Sequence, residues 1–140
     1  MQQTVNKHRN KDNKILIIGD WNSRIGRDQR RKGTRGQYGG EKTLNNNGKK
    51  MIEFCITNNI NIGNTFFNHK KVHQLTYKSE GTGAESIIDY ITYTKETRYN
   101  IMDVRVYRGA ELSTDHYLLV AKYRNKLRHK KKSKTKCIQN

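Results

Sequence analysis

Short runs of apolar residues, each about as long as a β-strand, constrain the fold of this chain more than any other feature of its sequence. The first run, 15–18, is continuously apolar and is followed at once by Gly19 and Asp20. Such a run predicts a strand buried on both faces, with polar residues placed at its C-terminal end. Later runs predict further strands at 60–62, 65–67, 75–78, 86–93, 102–107 and 117–123.

One segment has helical rather than strand periodicity. Met51, Ile52, Cys55 and Ile56 recur at the spacing of one helix face, which predicts a helix over 48–59 with Asn47 available as its N-cap. The preceding segment, 23–47, is rich in Gly, Arg and Asn and is predicted to be a long surface loop. Many strands with one clear helix indicate an α/β or α+β class with a layered core.

The length of 140 residues suits one domain. Residues 1–14 are polar and lack periodicity, so we expect a loose leader there, followed by the folded part at 15–125. The Lys-rich segment 126–140 is predicted to be a disordered tail. Two interpretations of this tail stay open, a nucleic-acid arm or nuclear-import signal on one side and a merely solvated end on the other.

The charge of the chain favours a polyanionic partner. Lys and Arg number 29 against 12 Asp and Glu, which gives a formal net charge of +17. Such an excess attracts nucleic acid, and we expect DNA in particular. The alternative is a Lys- and Asn-rich genome that simply inflates the count of basic residues.

Cysteine use and hydropathy indicate the compartment. Cys55 and Cys137 do not suggest a disulfide framework, so a reducing environment fits best. No apolar run approaches the roughly 20 residues that span a bilayer. We therefore expect an intracellular protein, nuclear or cytoplasmic, that does not bind membranes.

The first polar motif lies at the end of the first predicted strand. Asp20 and Asn22 are two positions apart, so they face the same side of an extended chain. A carboxylate beside a carboxamide suits phosphoryl chemistry, because one can handle a proton or a metal and the other can donate to a phosphate oxygen. The structural alternative is an Asx turn that closes the strand.

Two further motifs carry Asp and His residues. Asp89 lies in the middle of an apolar run, where a carboxylate is costly to bury without a partner. His116, directly after Asp115, is the natural partner, since a carboxylate fixes the tautomer of an imidazole. The alternatives are an ordinary loop acid at Asp115 and an ordinary edge residue at His116.

These motifs together resemble a known family. In chain order they are Gly-Asp-Trp-Asn at 19–22, Ile-Asp-Tyr-Ile at 88–91 and Thr-Asp-His at 114–116. This series resembles the endonuclease/exonuclease/phosphatase superfamily. The segments Asn-Gly at 47–48, Met-Ile-Glu-Phe-Cys at 51–55, Asn-Thr-Phe-Phe at 64–67 and Arg-Gly-Ala at 108–110 are similar to its non-LTR retrotransposon endonuclease branch. The resemblance covers about residues 14–127.

The resemblance implies a DNase I-like, four-layer α/β sandwich that hydrolyses phosphodiesters with Mg²⁺, for which Mn²⁺ could substitute. It implies that Asp20 handles the proton of the attacking water or the leaving group and that Asn22 holds the phosphate. Asp115 would be the metal-side carboxylate. His116 would stabilise charge on the phosphorus, and Asp89 would orient His116.

Other positions that match the branch, and those that depart from it, complete the comparison. Asn47 and Asn64 match family positions near the site and are candidates for substrate binding. Trp21, Tyr77 and Thr114 replace the usual Phe, Trp and Ser. The N-terminal half of the family domain, with its main metal-binding Glu, has no counterpart here. The resemblance therefore implies a C-terminal half-domain, truncated at its N-terminus, with exposed sheet edges.

Three functions are compatible with this half-domain. The first is a Mg²⁺-dependent DNA endonuclease, and the second is a catalytically inactive, truncated remnant that still binds nucleic acid. The third, a phosphatase acting on small phosphoesters, is disfavoured by the high positive charge. Because hard oxygen ligands are missing, we expect little or no nuclease activity from the chain alone.

Overall fold

A computed structural model describes residues 1–8, 14–27, 33–109 and 113–125. The predicted tail at 126–140 lies outside this range and stays a prediction. The described helices and strands are, in chain order, α1 (Gln2–His8), β1 (Leu16–Asp20), α2 (Asn46–Thr57), β2 (Ile60–Ile62), β3 (Tyr77–Lys78), β4 (Glu85–Ser86), β5 (Asp89–Thr94), β6 (Ile101–Tyr107) and β7 (Leu118–Tyr123). Three short 3-10 helices are Gly63–Thr65, Lys71–His73 and Lys95–Asn100.

The strands form antiparallel sheets. β1, β5 and β2 form a three-stranded sheet with β5 in the centre, while β3 pairs with β4 and β6 pairs with β7. Antiparallel sheets with few helices confirm the predicted α+β class. None of the described helices has both the length and the apolar character needed to cross a bilayer.

The prediction that the first strand is buried on both faces is wrong. β1 lies at the edge of its sheet, and Ile18 on this strand is 63% exposed. The neighbouring Ile17 is partly buried and packs against the core. Only one face of β1 therefore meets other apolar groups, and the continuous apolar run leaves its opposite face in solvent.

The main core lies between α2 and the central sheet. Met51, Ile52 and Cys55 of α2 pack there with Ile60 and Ile62 of β2, as the helical periodicity predicted, whereas Ile56 of the same predicted face is 49% exposed. Burial raises the pKa of the Cys55 thiol to about 12, which keeps this group neutral at physiological pH. The helix thereby fixes the position of the chain on either side of it.

Both ends of α2 differ slightly from the prediction. The helix covers Asn46–Thr57 rather than 48–59, and Asn45 rather than Asn47 is its N-cap. The Asn45 side chain accepts a hydrogen bond of 2.7 Å from the Gly48 amide, as N-cap residues commonly do. Asn58 is the C-cap, so the helix ends two residues earlier than predicted.

The N-terminal segment is not the loose leader that its polarity predicted. Gln2–His8 forms α1, and Val5 is only 4% exposed. The Gln2 and Asn58 side-chain amides exchange two hydrogen bonds, of 2.7 and 2.8 Å. One pair of side-chain amides thus joins α1 to the C-cap of α2.

The predicted strands differ in length from those observed. The segment 65–67 does not form a strand, since its first residue ends the 3-10 helix Gly63–Thr65 and the next two form a bend. The single strand predicted over 86–93 is divided between β4 and β5. In the described parts of the predicted loop 23–47, an isolated bridge joins Ile25 to Leu44, and Ile25 is buried. This loop is therefore anchored in the core.

Candidate active site

Two carboxylates meet at one end of the three-stranded sheet. Asp20 is the last residue of β1, Asp89 is the first residue of β5, and the two are directly opposite in the antiparallel register. Opposed residues of an antiparallel pair project from the same face of the sheet. Strand pairing alone therefore brings together two predicted site residues that are far apart in sequence.

His116 is hydrogen-bonded to one of these carboxylates. Its Nδ1 lies 2.9 Å from Asp89 Oδ2, and its ring is edge-on to the Tyr77 ring with centroids 5.2 Å apart. The His116 side chain is 31% exposed and that of Asp89 is 18% exposed. Because Nδ1 donates to Asp89, Nε2 is the ring nitrogen that can form a hydrogen bond with another group.

The surroundings of His116 favour its charged form. Burial by itself lowers the pKa of His116, but the hydrogen bond and negative charge of Asp89 outweigh it, with help from Asp115 and Asp20. The net result is a raised pKa. Asp115 Oδ1 lies 3.8 Å from His116 Nε2, too far for a hydrogen bond but close enough for attraction between charges.

The Asp20–Asn22 motif forms the Asx turn that was the structural alternative for these residues. Asp20 Oδ1 accepts a hydrogen bond of 2.8 Å from the Asn22 backbone amide, which is an Asx turn. Asn22 adopts a positive φ of 47°, and it is exposed. The turn therefore closes the strand and also leaves the Asn22 carboxamide open to solvent beside Asp20.

The predicted substrate-binding residues Asn47 and Asn64 make contacts within the protein. Asn47 Nδ2 donates to the Asn22 carbonyl at 3.2 Å, as Asn45 Nδ2 also does. Asn64 donates to the Asp89 carbonyl and accepts from the Ile91 amide, both at 3.0 Å. These contacts hold Asn22 and Asp89 in place, so both amides act on the site through its backbone.

Thr76 also positions the site, although the sequence analysis did not single it out. Its side chain is fully buried, and its Oγ1 accepts hydrogen bonds from the amides of Ile88 and Asp89, at 3.0 and 3.1 Å. Its carbonyl accepts a 2.7 Å bond from the Tyr117 amide. One residue thus joins the segment of Asp89 to the segment of His116, and no local pattern reveals this.

Replacing Thr76 with valine is expected to lower the free energy of unfolding by about 2 kcal/mol, because two half-buried amides lose their acceptor and each then costs about 1 kcal/mol, the low end of the usual range. Urea denaturation would measure the change. Thr76→Ser keeps the oxygen and should lose less than half as much. Thr92→Val removes a buried hydroxyl that only donates to the Ile17 carbonyl and should also cost less. Equal stability of Thr76→Val and the parent would contradict the role assigned to this hydroxyl.

The described residues do not assemble a metal site from protein ligands alone. They contain no group of three or more His, Cys, Asp or Glu side chains placed to hold a metal ion. Mg²⁺ often binds through one or two carboxylates and keeps several waters, and the half-exposed Asp115 suits that role as one ligand. A cavity of about 370 Å³ beside it is lined by Lys78, Ser79, Glu80, Thr114, Asp115 and Tyr117.

Comparison with known proteins gives two relatives. The chain is 35% identical over 114 residues to craniofacial development protein 2 of Bos taurus and 34% identical over 114 residues to that of Tragulus javanicus. The match covers 81% of this chain but only about a fifth of each relative, 19% and 20%. No protein-family model matches the chain, and no solved structure matches it. The matched residues are therefore homologous to a segment of craniofacial development protein 2.

Proposed function

We propose that this chain is part of a metal-dependent phosphodiesterase, a DNA endonuclease domain of retrotransposon origin. The observation that carries the proposal is the Asp89–His116 pair, with 2.9 Å between Asp89 Oδ2 and His116 Nδ1, at the strand end that also carries Asp20. The order of the three motifs along the chain supports the same assignment. A carboxylate-oriented, charged imidazole beside a second carboxylate suits the hydrolysis of a phosphate ester.

Each residue has a distinct task in this proposal. His116 in its charged form faces a phosphate oxygen with Nε2 and stabilises the negative charge that develops on it. Asp89 holds the ring and keeps it charged. Asn22 donates to a second phosphate oxygen from its exposed carboxamide. Asp20 accepts or returns the proton of the attacking water or the leaving group.

The proposed cofactor is Mg²⁺, with Mn²⁺ as a substitute, and Asp115 is the residue that would hold it. A bound divalent ion lowers the pKa of water and offsets charge on a phosphate. Because the described residues do not assemble three acidic or imidazole ligands, the ion should bind weakly. We therefore expect the chain by itself to have little or no nuclease activity.

The proposed substrate is a nucleic acid, DNA in particular. The net charge of +17 suits a polymer with many phosphates better than a small phosphoester, because each neutralised phosphate releases counterions. The same charge supports the second candidate function, in which the chain binds nucleic acid without cutting it. The incomplete ligand group among the described residues is the observation that favours this candidate.

Nicking of supercoiled plasmid DNA by the purified chain, with Mg²⁺, separates these functions. We expect at most a trace of nicking, together with DNA binding whose affinity falls steeply with salt, on the order of tenfold or more between 50 and 200 mM. Asp20→Ala and EDTA are the controls for nicking. Strong nicking that is lost in both controls would show that the chain suffices for catalysis. The absence of DNA binding by the folded chain would exclude both functions.

A further inference from the structure

The guanidinium of Arg108 joins three separate segments of the chain. Arg108 Nη1 lies 2.8 Å from Glu85 Oε1 on β4, and Arg108 Nε donates to the Val72 carbonyl at 3.0 Å. Its Cζ lies 4.1 Å from the centre of the Tyr117 ring. The side chain is only 26% exposed, so one half-buried cation connects the β3–β4 hairpin, the 3-10 helix Lys71–His73 and the residue next to His116.

These segments also surround the Asp115–His116 dipeptide. The Lys78 amide donates to the Asp115 carbonyl at 2.9 Å, and Tyr77 forms an isolated bridge with His116. β6 ends at Tyr107 and β7 begins at Leu118. Arg108 therefore directly follows β6, and Tyr117 lies between His116 and the start of β7.

We infer that Arg108 is a positioning residue, which packs on Tyr117 and thereby holds the adjoining Asp115 and His116 against the β3–β4 hairpin. Arg108 makes no contact with His116 itself, so it acts through Tyr117 and the hairpin. The geometric part of this inference stands on the contacts alone. Its consequence for phosphodiester cleavage rests on the proposed function.

The chemistry of these contacts requires arginine rather than any cation. A planar guanidinium can stack on an aromatic ring while its edge donates to a carboxylate and a carbonyl. A lysine ammonium is a compact charge without a plane, so it can keep the attraction to Glu85 but not all three contacts at once. The Arg108→Lys variant keeps the positive charge but loses the planar guanidinium, so it tests whether the planar group is what positions the segment.

The test compares the hydrogen-exchange rates of backbone amides in the Arg108→Lys variant and the parent, both measured by NMR on the full chain. We expect the Tyr117 and Lys78 amides to exchange about three- to tenfold faster, because lysine loses the stack on the Tyr117 ring and the hydrogen bond to the Val72 carbonyl. Amides of the β1–β5 pair should be unchanged. The ring-proton resonances of His116 should also shift, because its position beside the Tyr77 ring changes.

The matched control is Arg105→Lys. Arg105 lies on β6, three positions before Arg108, and its guanidinium is likewise near an aromatic ring, with Cζ 4.9 Å from the centre of Tyr107. This variant should leave the Tyr117 and Lys78 amides and the His116 resonances unchanged. A second variant, Glu85→Gln, keeps the stack on Tyr117 and should give an intermediate acceleration.

The inference would be overturned by an Arg108→Lys protein whose Tyr117 and Lys78 amides and His116 resonances match those of the parent. It would also be overturned by equal effects of Arg105→Lys, which would mean a general loosening of β6. Neither measurement requires DNA cleavage, so the positioning role of Arg108 can be tested even if the proposed nuclease function is wrong. Where nicking is measurable, Arg108→Lys should lower kcat and leave KM nearly unchanged.

Discussion

Replacing Gly48 with alanine lowers the free energy of unfolding by about 3 kcal/mol, although alanine normally stabilises a helix relative to glycine by about 0.5–1 kcal/mol. Gly48 lies in the first turn of α2. A Cβ atom added there would collide with the Arg24 carbonyl oxygen and lie 3.1 Å from Asn45 Oδ1. The Arg24 carbonyl is backbone and accepts the Asn45 amide at 3.1 Å, so it cannot move without loss of this bond.

The sign of the effect makes the measurement decisive. Urea denaturation would be followed by circular dichroism, with Gly81→Ala as the control. A Cβ at Gly81 would have no heavy atom within 4 Å, and this variant should change stability by less than about 0.5 kcal/mol. A Gly48→Ala protein more stable than the parent would mean that the helix propensity of alanine outweighs the collision with the Arg24 carbonyl. In that case α2 would not lie against the Arg24 backbone as described.

The same contact links α2 to the candidate site. Asn45 Oδ1 accepts from the amides of both Gly48 and Arg24, at 2.7 and 3.0 Å. Asn45 Nδ2 donates to the Asn22 carbonyl at 3.2 Å. A helix displaced by the added methyl group would therefore release Asn22 from its positive-φ turn. We expect any DNA-nicking activity to fall together with stability in Gly48→Ala.

The local chemistry of the site could be predicted from the sequence, because it depends on residue type. A carboxylate within an apolar run needs a partner, and the sequence alone therefore predicts that Asp89 pairs with His116. The helical spacing of Met51, Ile52 and Cys55 likewise identified the buried face of α2. The helical signal lies within a few neighbouring residues, whereas Asp89 and His116 are 27 positions apart and were matched by residue type.

The features that could not be predicted depend on contacts distant in sequence. The apolar run of β1 does not indicate that the strand lies at a sheet edge, because edge and centre differ only in what pairs beside them. The acceptor role of Thr76 requires the register that brings it to Ile88 and Asp89. Such hydrogen bonds are set by the tertiary fold and leave no periodic trace in the sequence.

The occupied amide of Asn64 illustrates a limit of assigning roles by resemblance. Its side chain bonds the Asp89 carbonyl at 3.0 Å, so Asn64 lies beside the candidate site. Nearness does not distinguish a residue that contacts substrate from one that supports the backbone. Only the direction of the hydrogen bonds makes that distinction, and here both bonds go to β5.

Replacing Asp89 with asparagine is expected to lower the pKa of His116, because the variant removes the negative charge that raises it. In the proposed mechanism the imidazole then loses the charge that stabilises the reacting phosphate. Loss of one such group costs roughly 10²–10³ in kcat. NMR titration of the His116 ring protons measures the first effect whether or not the chain cuts DNA.

The pH dependence of stability has a definite sign. Because the pKa of His116 is raised in the folded protein, its contribution is fully present below the ordinary value of about 6.5 and is lost as pH rises through the folded value. The contribution of the Asp89–His116 pair to the free energy of unfolding should not exceed about 1 kcal/mol, since the His116 side chain is 31% exposed and water screens the pair. Asp89→Asn should therefore be less stable than the parent at low pH and nearly equal to it in alkaline solution.

A second His–Asp pair in the same chain provides the matched control for this prediction. His69 Nε2 lies 2.7 Å from Asp103 Oδ1, with Asp103 on β6 rather than at the strand end that carries Asp20 and Asp89. Asp103→Asn should leave both the titration of His116 and any nicking unchanged. If the two variants reduced nicking equally, loss of any buried His–Asp pair would explain the result. An unchanged His116 titration in Asp89→Asn would mean that Asp89 does not hold the charge of the ring, and the proposed catalytic role of the pair would fail.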